Sequence, residues 1–273
     1  MLPQRPKAVV TGAASGLGRA IAQRLAARGG HMVLADVDMA GLEETKLLVE
    51  HDGGRAKTVR CDVAKAPEVE ALRDASVAEL GAVDLVVNNA GVAVGGKVGE
   101  IPLADWEWIV GINLWGVIYG CHYFIPVMKE KKRGHILNVA SIAGFAQSPE
   151  MGPYNVTKAG VISLTETLAA ELAPDGIGAT VLCPYFFKTN IAKSARSHTT
   201  ERDAQAMIEK LMEKTGVQAS GVAEHALRAC EKNTLYAFPH VQARAIALAK
   251  RSIPSIFHQV VVGRMAGSRL RQG

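Results

Sequence analysis

Length, composition and charge indicate an ordinary globular protein. The chain has 273 residues, of which 48% are hydrophobic and 21% are charged, enough for one large α/β domain with a substantial core. The net charge of +5 is mild and several cations lie in the tail, so we expect no nucleic-acid binding. The four cysteines form no CxxC pair, which argues against a disulfide framework and against a thiolate zinc site. They are Cys61, Cys121, Cys183 and Cys230.

The same features favour a cytoplasmic protein. A strand-like run begins at Lys7, which leaves no room for a signal peptide before it. We expect no membrane-spanning helix, because charges are expected to interrupt the hydrophobic runs. Separated, unpaired cysteines fit a reducing compartment. We therefore predict a cytoplasmic protein that does not cross a membrane.

Short apolar runs alternate with helical patterns along the first two thirds of the chain, which indicates repeated βαβ units. The predicted strands are Ala8–Thr11, His31–Asp36, Lys57–Arg60, Leu85–Asn88, Gly134–Val139 and Gly178–Cys183. The predicted helices include Arg19–Ala27, Pro67–Leu80, Trp106–Met128 and Tyr154–Ala173. The alternation predicts an α/β fold with a single Rossmann-like domain: a doubly wound, mainly parallel sheet with helices on both faces.

The regular alternation fails after Pro184. The segment Ser194–Gly216 is polar and charged, as expected of a substrate lid, and the remainder reads as helices broken by Pro239 and Pro254. No linker marks a second domain. We predict one domain over residues 1–273, with residues 7–189 as cofactor-binding and catalytic core and residues 190–273 as lid and C-terminal helical segment.

A glycine-rich turn follows the first strand and opens the first helix. Glycines let the backbone approach a pyrophosphate, whose charge is favoured by the free N–H groups at a helix start. The spacing is GxxxGxG rather than the GxGxxG of the general dinucleotide fingerprint. The residues assigned to this phosphate-binding turn are Gly12, Ser15, Gly16, Leu17 and Gly18.

Asp36 ends the second strand about 20 residues beyond the glycine turn, where a carboxylate can bind both ribose hydroxyls and repel a 2′-phosphate. Val37 and Asp38 follow, and no basic residue lies within Ala13–Ser15. NAD is therefore favoured over NADP. Arg19 remains a residue that could reach a phosphate.

Several motifs, in one order and spacing over Lys7–Thr189, resemble the classical short-chain dehydrogenase/reductase family. Asp62 and Val63 resemble its adenine-contacting pair, and Asn88-Asn89-Ala90-Gly91 resembles its NNAG segment, which places Asn89, Ala90 and Gly91 beside the cofactor. Asn113, Ser141, Tyr154 and Lys158 match its catalytic tetrad. Pro184 and Thr189 match its cofactor-binding loop, with Thr189 near the carboxamide. The resemblance implies an oxidoreductase acting on alcohols and ketones.

The chemistry of the tetrad suits hydride transfer between a nicotinamide and a secondary alcohol or ketone. An unperturbed tyrosine, with a pKa of about 10, is a poor base at neutral pH. Lys158 lies four residues after Tyr154 on a predicted helix, so its ammonium can favour the phenolate. Ser141 can donate a hydrogen bond to the substrate oxygen. The resemblance implies that Lys158 and Tyr154 also contact the cofactor and that Asn113 supports a water relay; no metal is expected.

The loop after Cys183-Pro184 departs from the family pattern, because Tyr185 stands where the family often has glycine. Tyr185, Phe186 and Phe187 are interpreted either as core residues or as lining of the substrate pocket. Ser141, Met151 and Tyr154 complete the predicted pocket, which favours a bulky lipophilic substrate. We expect a lipophilic secondary alcohol or ketone rather than a sugar or hydroxy acid.

Other classes of protein and partner stay open. A non-catalytic NAD-binding sensor or scaffold would need the glycine turn and Asp36 but not the tetrad. A nucleotide-sugar epimerase of the extended branch needs a larger C-terminal domain. The resemblance implies a homotetramer or homodimer, packed through Trp106–Met128 and Ala159–Ala173. An apolar series near the end is expected to pack on a subunit or the core, and peripheral membrane contact is the less favoured alternative. It comprises Ile246, Leu248, Ile253, Ile256, Phe257, Val260 and Val261.

Overall fold

The computed structural model describes residues 2–185, 187, 191, 195–198 and 218–259. The strands are β1 (Lys7–Thr11), β2 (His31–Asp36), β3 (Arg55–Arg60), β4 (Leu85–Asn88), β5 (Val94–Gly95), β6 (Gly134–Val139), β7 (Ile177–Leu182), β8 (Arg196–Ser197) and β9 (Tyr236–Ala237). The helices are α1 (Gly16–Ala26), α2 (Met39–His51), α3 (Ala66–Leu80), α4 (Leu103–Val110), α5 (Gly116–Lys131), α6 (Ala143–Ala146), α7 (Gly152–Leu172), α8 (Ala219–Glu231), α9 (Val241–Ser252) and α10 (Pro254–Phe257). A π-helical turn, Gly111–Trp115, joins α4 to α5, and a 3-10 turn, Ala173–Asp175, follows α7.

The main sheet has seven strands in the order β3-β2-β1-β4-β6-β7-β9, all paired in parallel. All six predicted strands belong to it, and the short edge strand β9 was not predicted. The strand order reverses between β1 and β4. In open parallel sheets, ligands bind beyond the carboxyl ends of the strands at such a reversal, and the glycine turn and the NNAG segment both lie there.

Helices cover both faces of the sheet, as the alternating pattern predicts. One buried cluster joins α1 and α8 to the strands, with Ile21, Leu25 and Leu227 fully enclosed. The other cluster joins α3, α5 and α7 to the opposite face and includes the buried Phe124. Since the inner strands are covered on both sides, they are almost continuously apolar, whereas the edge strand β3 is exposed or partly buried along its length.

One long apolar helix corrects an expectation from the sequence. Residues Trp108–Met128 contain no charged side chain, and the continuous helix Leu103–Lys131 is long and apolar enough to cross a bilayer by length and composition. The premise that charges interrupt every hydrophobic run was therefore wrong. Phe124 and Met128 of this helix are buried in the cluster against the sheet, and the helix carries the buried polar Asn113. One face of the helix is therefore packed against the sheet, while Leu103 and Trp115 are exposed.

The C-terminal part is helical, with α9 beginning soon after Pro239 and α10 opening with Pro254, as predicted. Of the apolar series there, Phe257 is buried and Ile246 is partly buried, whereas Leu248, Ile253 and Ile256 are exposed. Packing of the whole series in the chain's own core is therefore contradicted. Residues Phe186, Thr189, Val260 and Val261 and most of Ser194–Gly216 lie outside the described residues.

Candidate active site

The glycine turn is shaped by close backbone contacts. Gly12 and Gly16 have φ values of 64° and 56°, a region that disfavours other residues. A Cβ atom at Gly18 would lie 2.1 Å from the carbonyl oxygen of Gly12, and one at Gly12 would lie 2.8 Å from the Cα of Ala90. No larger residue fits at these positions, so the glycines are required for the turn itself.

The start of α1 retains its free amide groups. Ser15 occupies the N-cap position without a side-chain hydrogen bond to the helix, so this helix start can bind the pyrophosphate of a dinucleotide. Asn89, predicted beside the cofactor, holds the turn: its Nδ2 donates to the carbonyl oxygens of Thr11 at 2.9 Å and Gly12 at 3.1 Å. These residues fit a dinucleotide at the carboxyl end of β1.

The structure places Asp36 beside the glycine turn. Its Oδ2 accepts a hydrogen bond from the Ala14 amide at 3.1 Å, and its Oδ1 accepts one from the Asp38 amide at 3.1 Å. Two amides thus fix the carboxylate where the adenosine ribose of a dinucleotide is expected. Arg19, the residue that could reach a phosphate, pairs with Glu44 at 2.9 Å and donates to Thr45 at 2.9 Å.

Asp62 and Val63, the pair expected to contact adenine, are held in place by their neighbours. The Oδ1 of Asp62 accepts from the Ala64 amide at 3.1 Å, and the Asp62 amide donates to Glu68 at 2.8 Å. Val63 is buried against Gly116, where a Cβ atom would lie 2.9 Å from the valine side chain. The sequence did not show that Glu68 and Gly116 support this pair.

Asn113 lies in the π-helical turn, and its amide binds the chain after β4. Its Oδ1 accepts from the Val92 amide at 2.8 Å, and its Nδ2 donates to the Val92 carbonyl at 2.9 Å. A Cβ atom at Gly91 would lie 3.3 Å from the Oδ1 of Asn113 and 3.5 Å from the Nζ of Lys158. The absence of a side chain at Gly91 therefore leaves room for both Asn113 and Lys158 beside it, and the expected water relay stays a prediction.

Tyr154, Lys158 and Ser141 converge where α7 passes the carboxyl end of β6. The Nζ of Lys158 donates to the Val139 carbonyl at 2.9 Å and lies 5.6 Å from the centre of the Tyr154 ring. Ser141 lies close enough to the Tyr154 hydroxyl to lower its pKa. The structure thus brings together the three reactive members of the predicted tetrad.

Burial dominates the ionisation of both reactive groups. It lowers the pKa of Lys158 to about 8, so the ammonium is still charged at pH 7. Burial raises the pKa of Tyr154 to about 12, opposed by the hydrogen bond with Ser141. The pKa of Tyr154 is thus raised and not lowered as expected: burial is the largest cause, and the opposing contribution comes from Ser141.

The loop after β7 borders the site, since the Pro184 carbonyl accepts from the Ile142 amide at 2.9 Å, one residue beyond Ser141. Tyr185 is partly buried, and Phe187 is buried in the core cluster on the α1 face of the sheet. Core packing is the role that this placement gives Phe187. Met151 lies just before α7, beside Gly96.

His240, which sequence reasoning missed, holds this loop in place. It is buried, and its Nδ1 accepts a hydrogen bond from the Tyr185 amide at 3.2 Å. Its ring also lies 6.4 Å from the rings of both Tyr185 and Phe187. Burial, followed by the nearby His225, lowers the pKa of His240, which keeps the ring neutral and its Nδ1 able to accept.

We expect His240→Leu to raise the KM for the cofactor about ten-fold and to change kcat less, because an unpaired amide costs about 1–3 kcal/mol. His240→Asn places an amide oxygen close to the Nδ1 position and should recover most of the cofactor affinity. Steady-state kinetics with varied cofactor checks this prediction. Equal KM values for the two variants would contradict it.

The comparisons with known proteins agree with this geometry. The family model of short chain dehydrogenases matches residues 6–200. The chain is 32% identical over 262 residues to an oxidoreductase named SadH of Mycobacterium tuberculosis, covering 95% of each protein. It is 37% identical over 185 residues to a CLA biosynthesis dehydrogenase/reductase of Lactiplantibacillus plantarum, covering 67% of this chain and 65% of that protein.

Solved structures show the same architecture. A short chain dehydrogenase/reductase from Burkholderia phymatum, in complex with NAD, superposes with a TM-score of 0.88 at 35% identity, covering 94% of this chain and 96% of that one. A short-chain dehydrogenase from Sphingobium yanoikuyae, in complex with NADPH, gives a TM-score of 0.76 at 26% identity, covering 92% and 95%. The chain thus belongs to the short-chain dehydrogenase/reductase family, whose members are oxidoreductases that bind a nicotinamide cofactor.

Proposed function

We propose that the chain is an NAD-dependent dehydrogenase that interconverts lipophilic secondary alcohols and their ketones. The proposal rests on the position of Ser141, Tyr154 and Lys158, which lie together where α7 passes the carboxyl end of β6. A non-catalytic NAD-binding sensor is the alternative class, and it would have no need for a buried lysine beside a partly buried tyrosine. Turnover of any alcohol or ketone, followed by nicotinamide absorbance, separates the two classes.

The residues would divide the reaction between them. Gly12, Gly18 and the amides that open α1 would hold the pyrophosphate, and Asp36 the adenosine ribose. When bound, the nicotinamide accepts or delivers the hydride. Tyr154 would give its proton to the ketone oxygen, and in the reverse direction its phenolate would take the proton of the alcohol hydroxyl, while Ser141 would hydrogen-bond that oxygen.

Cofactor choice rests on Asp36. Because a 2′-phosphate would place about two negative charges beside this carboxylate, we expect the chain to bind NAD about 100-fold more tightly than NADP. Asp36→Ala should reduce that ratio to about ten-fold or less. Dissociation constants of both cofactors, from intrinsic fluorescence, test this. Asp38→Ala, which removes a carboxylate two residues away, is the matched control, and tighter binding of NADP by the unmodified chain would refute the preference.

The surroundings of Tyr154 support a lipophilic substrate. Tyr154 packs against an apolar cluster that contains Val94, Ile101 and Ile109, with Trp106 beside them. The charged groups behind this wall bind one another, since Asp105 pairs with both Arg196 and His198. Arg196 also lies over the Trp108 ring, 3.9 Å from its centre. An apolar ligand beside Tyr154 would therefore bury few charged groups that lack a partner of their own.

Kinetics with a homologous series of 2-ketones, against polyhydroxylated ketones of equal carbon number, tests the substrate class. We expect kcat/KM to rise up to about four-fold for each methylene group that becomes buried. Met151→Ser should flatten this dependence, whereas Met39→Ser, an exposed change on α2, should not. A preference for the hydroxylated series would exclude the lipophilic class.

The cellular setting and assembly are also proposals. The four cysteines are buried free thiols, in line with a reducing cytoplasm. Trp115 and Val156 are exposed on the π-helical turn and on α7, and they support the expected homotetramer or homodimer through these helices. The single domain over residues 1–273, with its core over 7–189 and its lid and tail over 190–273, belongs to the same proposal.

A further inference from the structure

The end of the chain is strongly one-sided in charge. From Lys232 to Gly273 it contains seven lysine and arginine residues and no aspartate or glutamate. The preceding part holds 24 basic and 26 acidic residues, so the positive net charge of the protein comes from these last 42 residues. Such a segment attracts a negatively charged partner.

The described part of this segment presents apolar side chains to solvent. Helix α9 turns Ala243 and Ala247 inward, and it packs on α6. Val241, Ala245 and Leu248 follow one another at helical spacing on its outer face. The C-terminal apolar surface, defined here as Val241, Leu248, Ile253 and Ile256, is exposed by 83%, 56%, 47% and 55%.

Cations border this surface. Arg244 is exposed on α9, one turn from both Val241 and Leu248, and within the described residues it makes no ion pair. Arg251 lies 3.4 Å from Glu166 of α7 and over the ring of Tyr236, so its charge is partly neutralised. Lys250 donates a hydrogen bond to Gln147. Among the described cations that border this surface, Arg244 is therefore the one whose side chain no described ion pair or hydrogen bond engages.

These features select among the candidate occupants. A second copy, meeting this surface through a two-fold axis, would bring identical arginines towards each other. A neutral apolar partner would leave the cations unused. An anionic bilayer accepts both features, because aliphatic side chains enter the boundary between headgroups and acyl chains while arginines remain among the phosphates. We propose that the C-terminal apolar surface docks the protein on an anionic lipid bilayer.

Co-sedimentation of the full chain with vesicles tests the proposal independently of catalysis. We expect binding to phosphatidylcholine vesicles that contain phosphatidylglycerol, much weaker binding to phosphatidylcholine alone, and loss of binding as salt screens the charges. Arg244→Gln should weaken binding about five-fold. The double variant Leu248→Ser/Ile256→Ser should weaken it about ten-fold or more.

Matched controls keep the result specific. Leu47→Ser and Lys46→Gln alter an exposed leucine and a lysine on α2 and should leave vesicle binding unchanged. Sedimentation velocity of the same variants tests the competing interface. Equal binding to both kinds of vesicle would overturn the proposal. The proposal would also be overturned if the double variant Leu248→Ser/Ile256→Ser changed the oligomeric state but bound anionic vesicles as tightly as the unmodified chain.

Discussion

Tyr154→Phe is expected to lower kcat by about 10²–10⁴-fold, the range associated with loss of a positioned acid or base. The substitution removes only the hydroxyl group, whose pKa responds to Ser141. The ring stays in its apolar surroundings of Val94 and Ile109, so cofactor affinity should remain nearly unchanged. The loss should appear in kcat and in kcat/KM alike.

Single-turnover kinetics, followed by the absorbance of the reduced nicotinamide, separates the chemical step from product release. Tyr119→Phe is the matched control, because Tyr119 stacks on Trp115 outside the site, and it should turn over like the unmodified chain. Hydride transfer at the original rate in Tyr154→Phe would remove Tyr154 from the proton transfer. The roles of Ser141 and Lys158 would then have to be assigned anew.

The parts of the fold and site that were predictable are those encoded by local patterns. The strands of the sheet are apolar runs bounded by turn residues, and their alternation with helices prescribes parallel pairing. Gly12 and Gly18 follow from a turn that has no room for a Cβ atom. Tyr154 and Lys158 share a helix face because they are four residues apart.

The parts that were missed depend on contacts between distant segments. The π-helical turn at Asn113 inserts into a helix whose apolar pattern continues across it, so periodicity does not reveal it. Asn113 binds Val92, 21 residues earlier, and His240 binds Tyr185, 55 residues earlier. No local signal joins these pairs. The very short strand β9, which precedes His240, carries no usable alternation.

The pKa values of Tyr154 and Lys158 could not be predicted from the sequence. Helical spacing places a lysine near a tyrosine, but the pKa of each depends on how far both are removed from water. In the structure, the Lys158 ammonium is directed to the Val139 carbonyl, and burial moves both pKa values against the charged forms. The ammonium of Lys158 is costly to bury, and it lies where the proposed reaction requires a positive charge.

Lys158→Met is the substitution that isolates this charge. Methionine is long and unbranched and fills much of the space of the lysine stem, while the ammonium and its bond to Val139 are lost. Because an alkoxide develops on the substrate as a ketone is reduced, we expect kcat/KM for reduction to fall about 10²–10³-fold. The control is Lys129→Met, which replaces a lysine on α5 that pairs with Asp175. This variant should have little effect on kcat/KM.

The pH profile gives a second readout of Lys158 that a purely structural role would not produce. The lysine carries its charge below its pKa of about 8 and loses it above, whereas Tyr154 keeps its proton up to about pH 12. In the unmodified chain, kcat/KM for ketone reduction should therefore be level near pH 6–7 and decline above about pH 8. Lys158→Met should lack this decline, because it has no charge to lose. A decline of the same size in the variant would assign the titration to another group and leave Lys158 as a positioning residue.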